Sequence, residues 1–193
     1  MLHGMGRERE GSLMELAWHF VDDTLRDGRP IPADGEWLTH EGAIRLCVSG
    51  LHASPRIIDA LNYAPGGTVC RVAVDGETKR APDKIAAARR VILWRLEAAA
   101  ILYAFARSAD AARNTANTAN TANTANTAWA VEVARAMHAA DRAADRAADR
   151  GALDAAEAAR AAAIQEFDAG LEAMIRRAAG NPDDAALLAA LGP

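Results

Sequence analysis

The side chains that could do chemistry are concentrated in the first half of the sequence. Three histidines and four acids stand out there: His19, His40, Glu41, His52, Asp59, Asp75 and Glu77. Their order and spacing match neither the serine–histidine–aspartate arrangement of hydrolases, nor a phosphate-binding P-loop, nor the HExxH pattern of zinc proteases. The sequence therefore contains no recognised catalytic motif. Acid–base chemistry and ligand binding by single histidines are the two hypotheses that remain.

Two of these histidines have two interpretations each. His52 follows Gly50 and Leu51 directly, so its ring either binds a ligand or hydrogen-bonds a carbonyl of the same turn. His19 lies between Trp18 and Phe20, so it is either a ligand contact or a strand residue on the solvent side. The sequence does not decide between these alternatives.

Both cysteines, Cys47 and Cys70, lie inside apolar runs. Free cysteine behaves as a small hydrophobic residue, so both are predicted to be buried rather than nucleophilic or paired in a disulfide. There is no CxxC motif and no spacing typical of metal ligands, so no metal site is predicted.

The elements that must position these residues are predicted to be a small sheet and one short helix. Apolar or alternating runs predict strands at residues 43–48, 68–76 and 88–94, the second ending in an Asp-Gly turn signal. A proline followed by apolar residues at helical spacing predicts a helix over 55–64. Glycine, proline and aspartate make residues 21–35 a loop.

From Arg95 onward the pattern is helical, with one helix predicted over 95–113 and a long one over 152–179. Gly180 indicates the end of the long helix, and Asn181 is predicted as the N-cap of a last short one. One apolar stripe of the long helix is predicted to be a core face rather than a cofactor site: Ile164, Phe167, Leu171, Met174 and Ile175.

Two low-complexity repeats lie between these helices, NTA at 114–128 and AADR at 139–150. On an α-helix a three-residue repeat drifts by about 60° per copy, so asparagine and threonine keep no constant face. We therefore expect the first repeat to be filler in an exposed segment rather than a ladder that binds a ligand. The second predicts a solvated helix face, in which aspartates repel one another every four residues.

Composition excludes some classes of function. The net charge of −4 and pI near 5.7 argue against a nucleic-acid binder driven by electrostatics. Much of the 51% apolar content is alanine, which buries little area, so a thin core is expected. No signal peptide or membrane-spanning run is found, so we expect a cytoplasmic protein with residues 1–12 as a disordered arm.

The stretch from about Trp18 to Phe105 resembles a family of uncharacterised proteins in actinobacteria and their phages. Members of that family often carry an alanine-rich helical tail, as this chain does, and the resemblance implies kinship without an activity. The residues that carry it are WHFV, LRDGRPIPADGEWL, GLHAS, DALNYAPG, CRVAVDGE, the Asp83-Lys84 pair and RRVILW.

Residues 50–77 are also similar to the middle of ADP-ribosyltransferases of the poly-ADP-ribose polymerase type. That likeness implies that His19 contacts NAD, that His52 replaces the usual stacking aromatic, and that Tyr63 closes the pocket. The transferases carry a catalytic glutamate at the start of a late strand, whereas this sequence has none in that region before Glu97.

We therefore predict an α+β protein. Residues 13–97 are expected to form a small module, a mixed sheet with a short helix, and residues 98–193 an alanine-rich helical region. The first functional hypothesis is a non-enzymatic accessory or interaction protein without a cofactor, which binds a protein partner or itself through the helical region and binds neither nucleic acid nor membrane. The alternative is an ADP-ribosyltransferase-like protein, active or degenerate, that binds NAD through His19, His52 and Tyr63.

Overall fold

The computed structural model describes residues 14–114 and 153–191. The predicted arm at 1–12 and the repeat at 139–150 lie outside the described residues, as does all of the first repeat except Asn114. Five strands are present: β1 (Glu15–Val21), β2 (Trp37–Thr39), β3 (Leu51–Ala53), β4 (Thr68–Ala81) and β5 (Lys84–Glu97). Four helices accompany them: α1 (Ile57–Leu61), α2 (Ala99–Asn114), α3 (Leu153–Ala178) and α4 (Asp184–Ala190).

The strands form one sheet in the order β1-β4-β5-β2, and β3 pairs with β5 beside β2. Trp18 and Ser54 exchange two backbone hydrogen bonds of 2.8 Å, which joins the end of β3 to β1. The pairings β1–β4–β5–β3–β1 therefore close a ring. The α+β class is confirmed, but every described pairing is antiparallel, so the expected mixed sheet is wrong. Parallel neighbours need a long crossover, whereas a tight connection joins the two longest strands.

The hairpin of β4 and β5 is longer than predicted because the Asp-Gly signal is a bulge and not a turn. The register shifts between Asp75 and Thr78, and β4 then continues to Ala81. Gly76 has a φ of 77°, a conformation that favours glycine. The hairpin turns instead between Ala81 and Lys84.

The predicted strand at 43–48 is wrong, since these residues form a tight turn. Arg45 and Ser49 exchange backbone hydrogen bonds of 3.0 and 2.9 Å across it. Cys47 lies in the turn with a φ of 64°, the left-handed region that a strand residue does not adopt. Ile44 is buried while Val48 is 75% exposed, so the apolar run is divided between core and surface.

The outer face of the ring is covered by helices. Trp18 of β1 and Leu93 of β5 share one core cluster with Leu102 of α2 and with Leu171 and Ile175 of α3. The predicted core stripe of α3 is confirmed, with its other three members partly buried against the same cluster.

Apolar side chains from every strand of the ring line its interior. The buried members of this inner cluster are Ala17, Val21, Ala53, Cys70, Val72, Val74, Ile85, Ala87 and Ile92, and Ile31 of the loop after β1 packs against them. The residues of β1 and β4 that alternate with these face the helices, so both faces of the sheet are used.

The last helix, α4, begins two residues later than predicted. Asn181 has a φ of 51°, and Asp183 is the N-cap, accepting hydrogen bonds of 3.1 Å from the backbone N–H groups of Ala185 and Ala186. The first residue of α4, Asp184, then reaches the sheet. Its carboxylate accepts hydrogen bonds from Arg71 at 2.9 Å and from the Trp94 indole at 2.8 Å.

None of the helices in the described ranges is long and apolar enough to cross a membrane.

Candidate functional site

His19 faces the interior of the ring. It alternates along β1 with Ala17 and Val21 of the inner cluster and lies opposite Cys70 of β4. The histidine is only partly buried. Burial, followed by the positive charges of Arg90 and His52, lowers the pKa of His19 well below 6.5. Its imidazole is therefore neutral at pH 7.

Arg90 projects from β5 toward the same interior. It lies opposite Val74 of the inner cluster and is 3% exposed. One guanidinium nitrogen, Nη1, donates a hydrogen bond to the backbone carbonyl of His52. Burial lowers the pKa of Arg90 to about 10, so it stays charged at neutral pH.

The His52 ring holds the turn that precedes β3. Its Nε2 accepts a hydrogen bond of 3.1 Å from the backbone N–H of Cys47. Burial lowers the pKa of His52; a backbone hydrogen bond with Gly50 opposes this, and nearby charges, Arg90 first, add to it. The neutral ring therefore stabilises the turn and also lies near Arg90. The turn interpretation and the ligand interpretation of His52 are compatible.

Tyr63 lies just after α1 and is 54% exposed. Its hydroxyl donates a hydrogen bond to Asp83 in the β4–β5 turn, and the Lys84 ammonium lies 4.4 Å from the centre of its ring. The hydrogen bond from Tyr63 is the largest cause of the lowered pKa of Asp83. Asp83 and Lys84 therefore bind to the end of α1.

The two cysteines differ. Cys70 is buried as predicted, and burial raises the pKa of its thiol to about 12. Cys47 is exposed, so its predicted burial is wrong; the left-handed turn directs the residue away from the core. The Lys84 ammonium donates to its sulfur at 3.4 Å. We call the resulting patch the Lys84 surface, made of Cys47, Val48, Tyr63, Asp83 and Lys84.

Among the described residues, His52 is the predicted ligand residue that is linked to both of the others, His19 and Tyr63. His52 is linked to Tyr63 through Cys47 and Lys84, and it influences the charge of His19. No interaction within the described ranges joins His19 directly to Tyr63. Sequence reasoning missed Arg90 and Cys47 as site residues, although an arginine two positions before Ile92, on the inner face of β5, was a usable signal.

Glu97, the first glutamate after the strand that the transferase likeness points to, has a structural role. Its Oε1 accepts a hydrogen bond of 3.0 Å from the backbone N–H of Ala99, at the start of α2. Its Oε2 accepts one of 3.0 Å from the Thr68 hydroxyl. One carboxylate oxygen therefore caps the start of α2, and the other joins the end of β5 to the start of β4.

Metal binding has no candidate in the part of the chain that the structure describes. Residues 14–114 and 153–191 contain no group of three or more histidine, cysteine, aspartate or glutamate side chains that could hold an ion.

Comparison with known proteins finds a similarity to one family model over the range that contains the site. Residues 16–104 match the family model described as "Domain of unknown function (DUF7666)". No curated protein and no solved structure gives a significant match. The matched range contains the strand ring, α1, the first turns of α2 and every site residue named above, and it agrees with the expected kinship to an uncharacterised family. Residues 16–104 are therefore similar to an uncharacterised family domain, DUF7666.

Proposed function

We propose that this chain is a non-enzymatic interaction protein that binds a protein partner at the Lys84 surface. The observation that carries the proposal is the exposure of Val48 and Tyr63, at 75% and 54%, beside a side-chain network that holds their neighbours. Exposed apolar and aromatic side chains rimmed by charge are typical of interaction sites. Because the network fixes Tyr63 before binding, little side-chain entropy is lost on association.

A non-enzymatic role is favoured over transfer chemistry by the position of Glu97. In an ADP-ribosyltransferase mechanism the late glutamate must be free to act on the substrate. Here Glu97 accepts hydrogen bonds through both oxygens, from Ala99 and Thr68. It would have to give up the start of α2 to act as a catalyst.

The test begins with affinity purification of the full chain and identification of the protein that co-purifies. The affinity of the purified partner is then measured for wild type, Val48→Asp and Tyr63→Ser. We expect the Kd to rise at least tenfold in both variants. Arg29→Ser, which removes an arginine whose side chain is 56% exposed in the loop after β1, outside the Lys84 surface and the helical region, is the control and should bind as wild type does. Unchanged affinity in both Lys84-surface variants would overturn the proposal.

The same proposal includes a second contact through the helical region, either with a protein partner or between copies of the chain. It also takes the protein to be cytoplasmic and of actinobacterial or phage origin, which the resemblance of residues 18–105 supports. Sedimentation velocity of the full chain and of a deletion of residues 139–150 tests self-association. A larger species that is lost on deletion supports it, and a monomer at all concentrations contradicts it.

NAD binding is a second candidate, favoured by the position of His19 and His52 near the unpaired charge of Arg90, which could face a diphosphate. Saturating NAD should then raise the melting temperature, since a ligand that binds only the folded state stabilises it by RT ln(1 + [L]/Kd). The rise should be smaller in His19→Ala and in Tyr63→Ala. No shift at millimolar NAD would rule this candidate out.

A further inference from the structure

Arg90 is a buried cation with no anionic partner in the part of the chain that the structure describes. It is 3% exposed, and its Nε is buried without a hydrogen-bond partner among the described residues. Its Nη1 donates to a backbone carbonyl, that of His52, which carries no formal charge. Burying a charge without a counter-charge destabilises the folded protein, so an unpaired buried arginine calls for a functional explanation.

The same fold contains a second buried arginine, and this one is paired with a carboxylate. Arg71 lies on the other face of β4, is 9% exposed, and its Nε donates to the Asp184 carboxylate at 2.9 Å. Arg176 of α3 reaches the same carboxylate, at 2.5 Å. The contrast shows that this protein pairs a buried arginine with an acid where the role is structural, and Arg90 has no such acid among the residues described.

The groups around Arg90 do not neutralise it. Burial raises the pKa of the Cys70 thiol to about 12, so cysteine stays protonated. The pKa values of His19 and His52 are both lowered, primarily by burial, so neither ring adds charge at pH 7. Among the described residues, none of these three groups therefore offsets the positive charge of Arg90.

We propose that Arg90 and His19 form an anion-binding site inside the strand ring, which takes a carboxylate or phosphate group of a small ligand. The planar guanidinium has donors in a fixed fork, a geometry that matches both kinds of oxyanion. Nε, which no described residue uses, is one donor toward the anion, and the neutral imidazole of His19 is a second. His19 is only partly buried, which gives the ligand its way in.

This site is separate from the Lys84 surface, and its existence does not depend on the proposed protein partner. His52 contacts one residue of each: its ring nitrogen holds the Cys47 turn, while its carbonyl accepts a hydrogen bond from Arg90. The anion site can therefore be tested with the purified full chain alone.

The experiment measures the melting temperature of the full chain in titrations with sodium phosphate and with sodium acetate at pH 7, with ionic strength kept constant by sodium chloride. We expect a saturable rise with at least one of the two anions, and the more effective one identifies the class of ligand group. No saturable rise with either anion overturns the proposal.

Variants on β5 assign the effect to Arg90. Arg90→Met should abolish the rise, and Arg90→Lys, which keeps the charge but loses Nε and the fork, should raise the apparent Kd at least tenfold. The matched control is Arg89→Met, which removes the adjacent arginine that pairs with Asp75 at 3.0 Å and should keep the wild-type response. An equal response in wild type and Arg90→Lys overturns the proposal.

A measurement on wild type removes the dependence on variant folding. The ¹H–¹⁵N resonance of the Arg90 Nε–H group, assigned by its absence in Arg90→Lys, should shift progressively as the anion is added. Movement of the Arg89 signal in place of the Arg90 signal would contradict binding at Arg90.

Discussion

Cys47 and Cys70 show at the residue scale how the surroundings of a side chain decide its chemistry. Both follow apolar residues in the sequence, but one lies in a left-handed turn on the surface and the other in the interior of the strand ring. The exposed thiol of Cys47 accepts a hydrogen bond from the Lys84 ammonium at 3.4 Å. Reactivity of a thiol depends on access and on how readily it ionises.

We predict that one thiol of the native protein reacts with Ellman's reagent rapidly and the other only on unfolding. The fast thiol should be Cys47, because Cys70 is buried and its pKa is raised to about 12. The absorbance at 412 nm, followed in buffer and then in denaturant, measures both steps. Cys47→Ser should lose the fast step alone; a fast step that survives in this variant would contradict the structure.

A second prediction at this scale concerns stability and pH. The pKa of His19 in the folded protein lies well below its usual 6.5, so the unfolded chain binds more protons between these values. The contribution of neutral His19 to the free energy of unfolding should therefore be fully present above about pH 7. It should be lost progressively as the pH drops below 6.5. Urea unfolding at pH 5, 6 and 7 measures the slope.

His19→Gln should have a smaller loss of stability between pH 7 and pH 5 than wild type, because one group that resists protonation has been removed. The double variant with His52→Gln should reduce the slope further, since the pKa of His52 is also lowered. An identical slope in wild type and His19→Gln would show that His19 is solvated in the folded protein.

At the scale of elements, local sequence signals placed the four described helices but only two of the five described strands, β4 and β5, and not all their ends. Runs of apolar residues predicted the parts of β4 and β5 that form the ring, because a strand that is buried on both faces needs apolar residues at successive positions. The Asp-Gly signal was misinterpreted because a bulge and a turn both need a glycine with positive φ. The cap of α4 moved from Asn181 to Asp183 because either residue can cap a helix.

The cap of α4 gives a prediction at this scale. Asp183→Ala should destabilise the protein by about 1 kcal/mol, because two N–H groups lose their acceptor. Chemical denaturation measures the difference. Asp183→Ser restores an oxygen at this position and should recover most of the loss; a serine variant as unstable as the alanine variant would contradict the capping role.

At the scale of the whole molecule, contacts between residues far apart in the sequence join the two described ranges, 14–114 and 153–191. Ile58 of α1 donates its backbone N–H to Asp168 of α3 at 3.0 Å, and Asp184 of α4 receives Arg71 and Trp94 of the sheet. Burial alone would raise the pKa of Asp184, but the hydrogen bonds from Arg176, Trp94 and Arg71 outweigh it and lower the pKa. The carboxylate is therefore charged and holds α4 against the ring.

We predict that Asp184→Asn destabilises the protein by about 3–5 kcal/mol, because it leaves the buried charge of Arg71 without its partner. The midpoint of urea unfolding, with the slope held in common, measures the change. Asp183→Asn is a matched control at the neighbouring position, since asparagine caps a helix as well as aspartate does. Equal stability of the two variants would contradict the buried ion pair.

Deletion of residues 114–128 tests how much the repeat matters to the fold. The sequence interpretation of this segment as filler predicts that the strand ring still unfolds cooperatively, because the core cluster joins β1 and β5 to α3 without it. Tryptophan fluorescence from Trp18 and Trp94 reports on this core during denaturation. Loss of a cooperative transition would show that the repeat is required.

By itself the sequence determined the α+β class, the burial of Cys70 and the core stripe of α3. These follow from composition and periodicity, which depend only on residues close together in the chain. Only the tertiary structure decided that His19 and Arg90 share the interior of a ring, that Cys47 is exposed beside Lys84, and that Asp184 pairs with Arg71. These pairs are separated by many residues, and strand register and the Trp18–Ser54 closure, not local pattern, set which side chains meet.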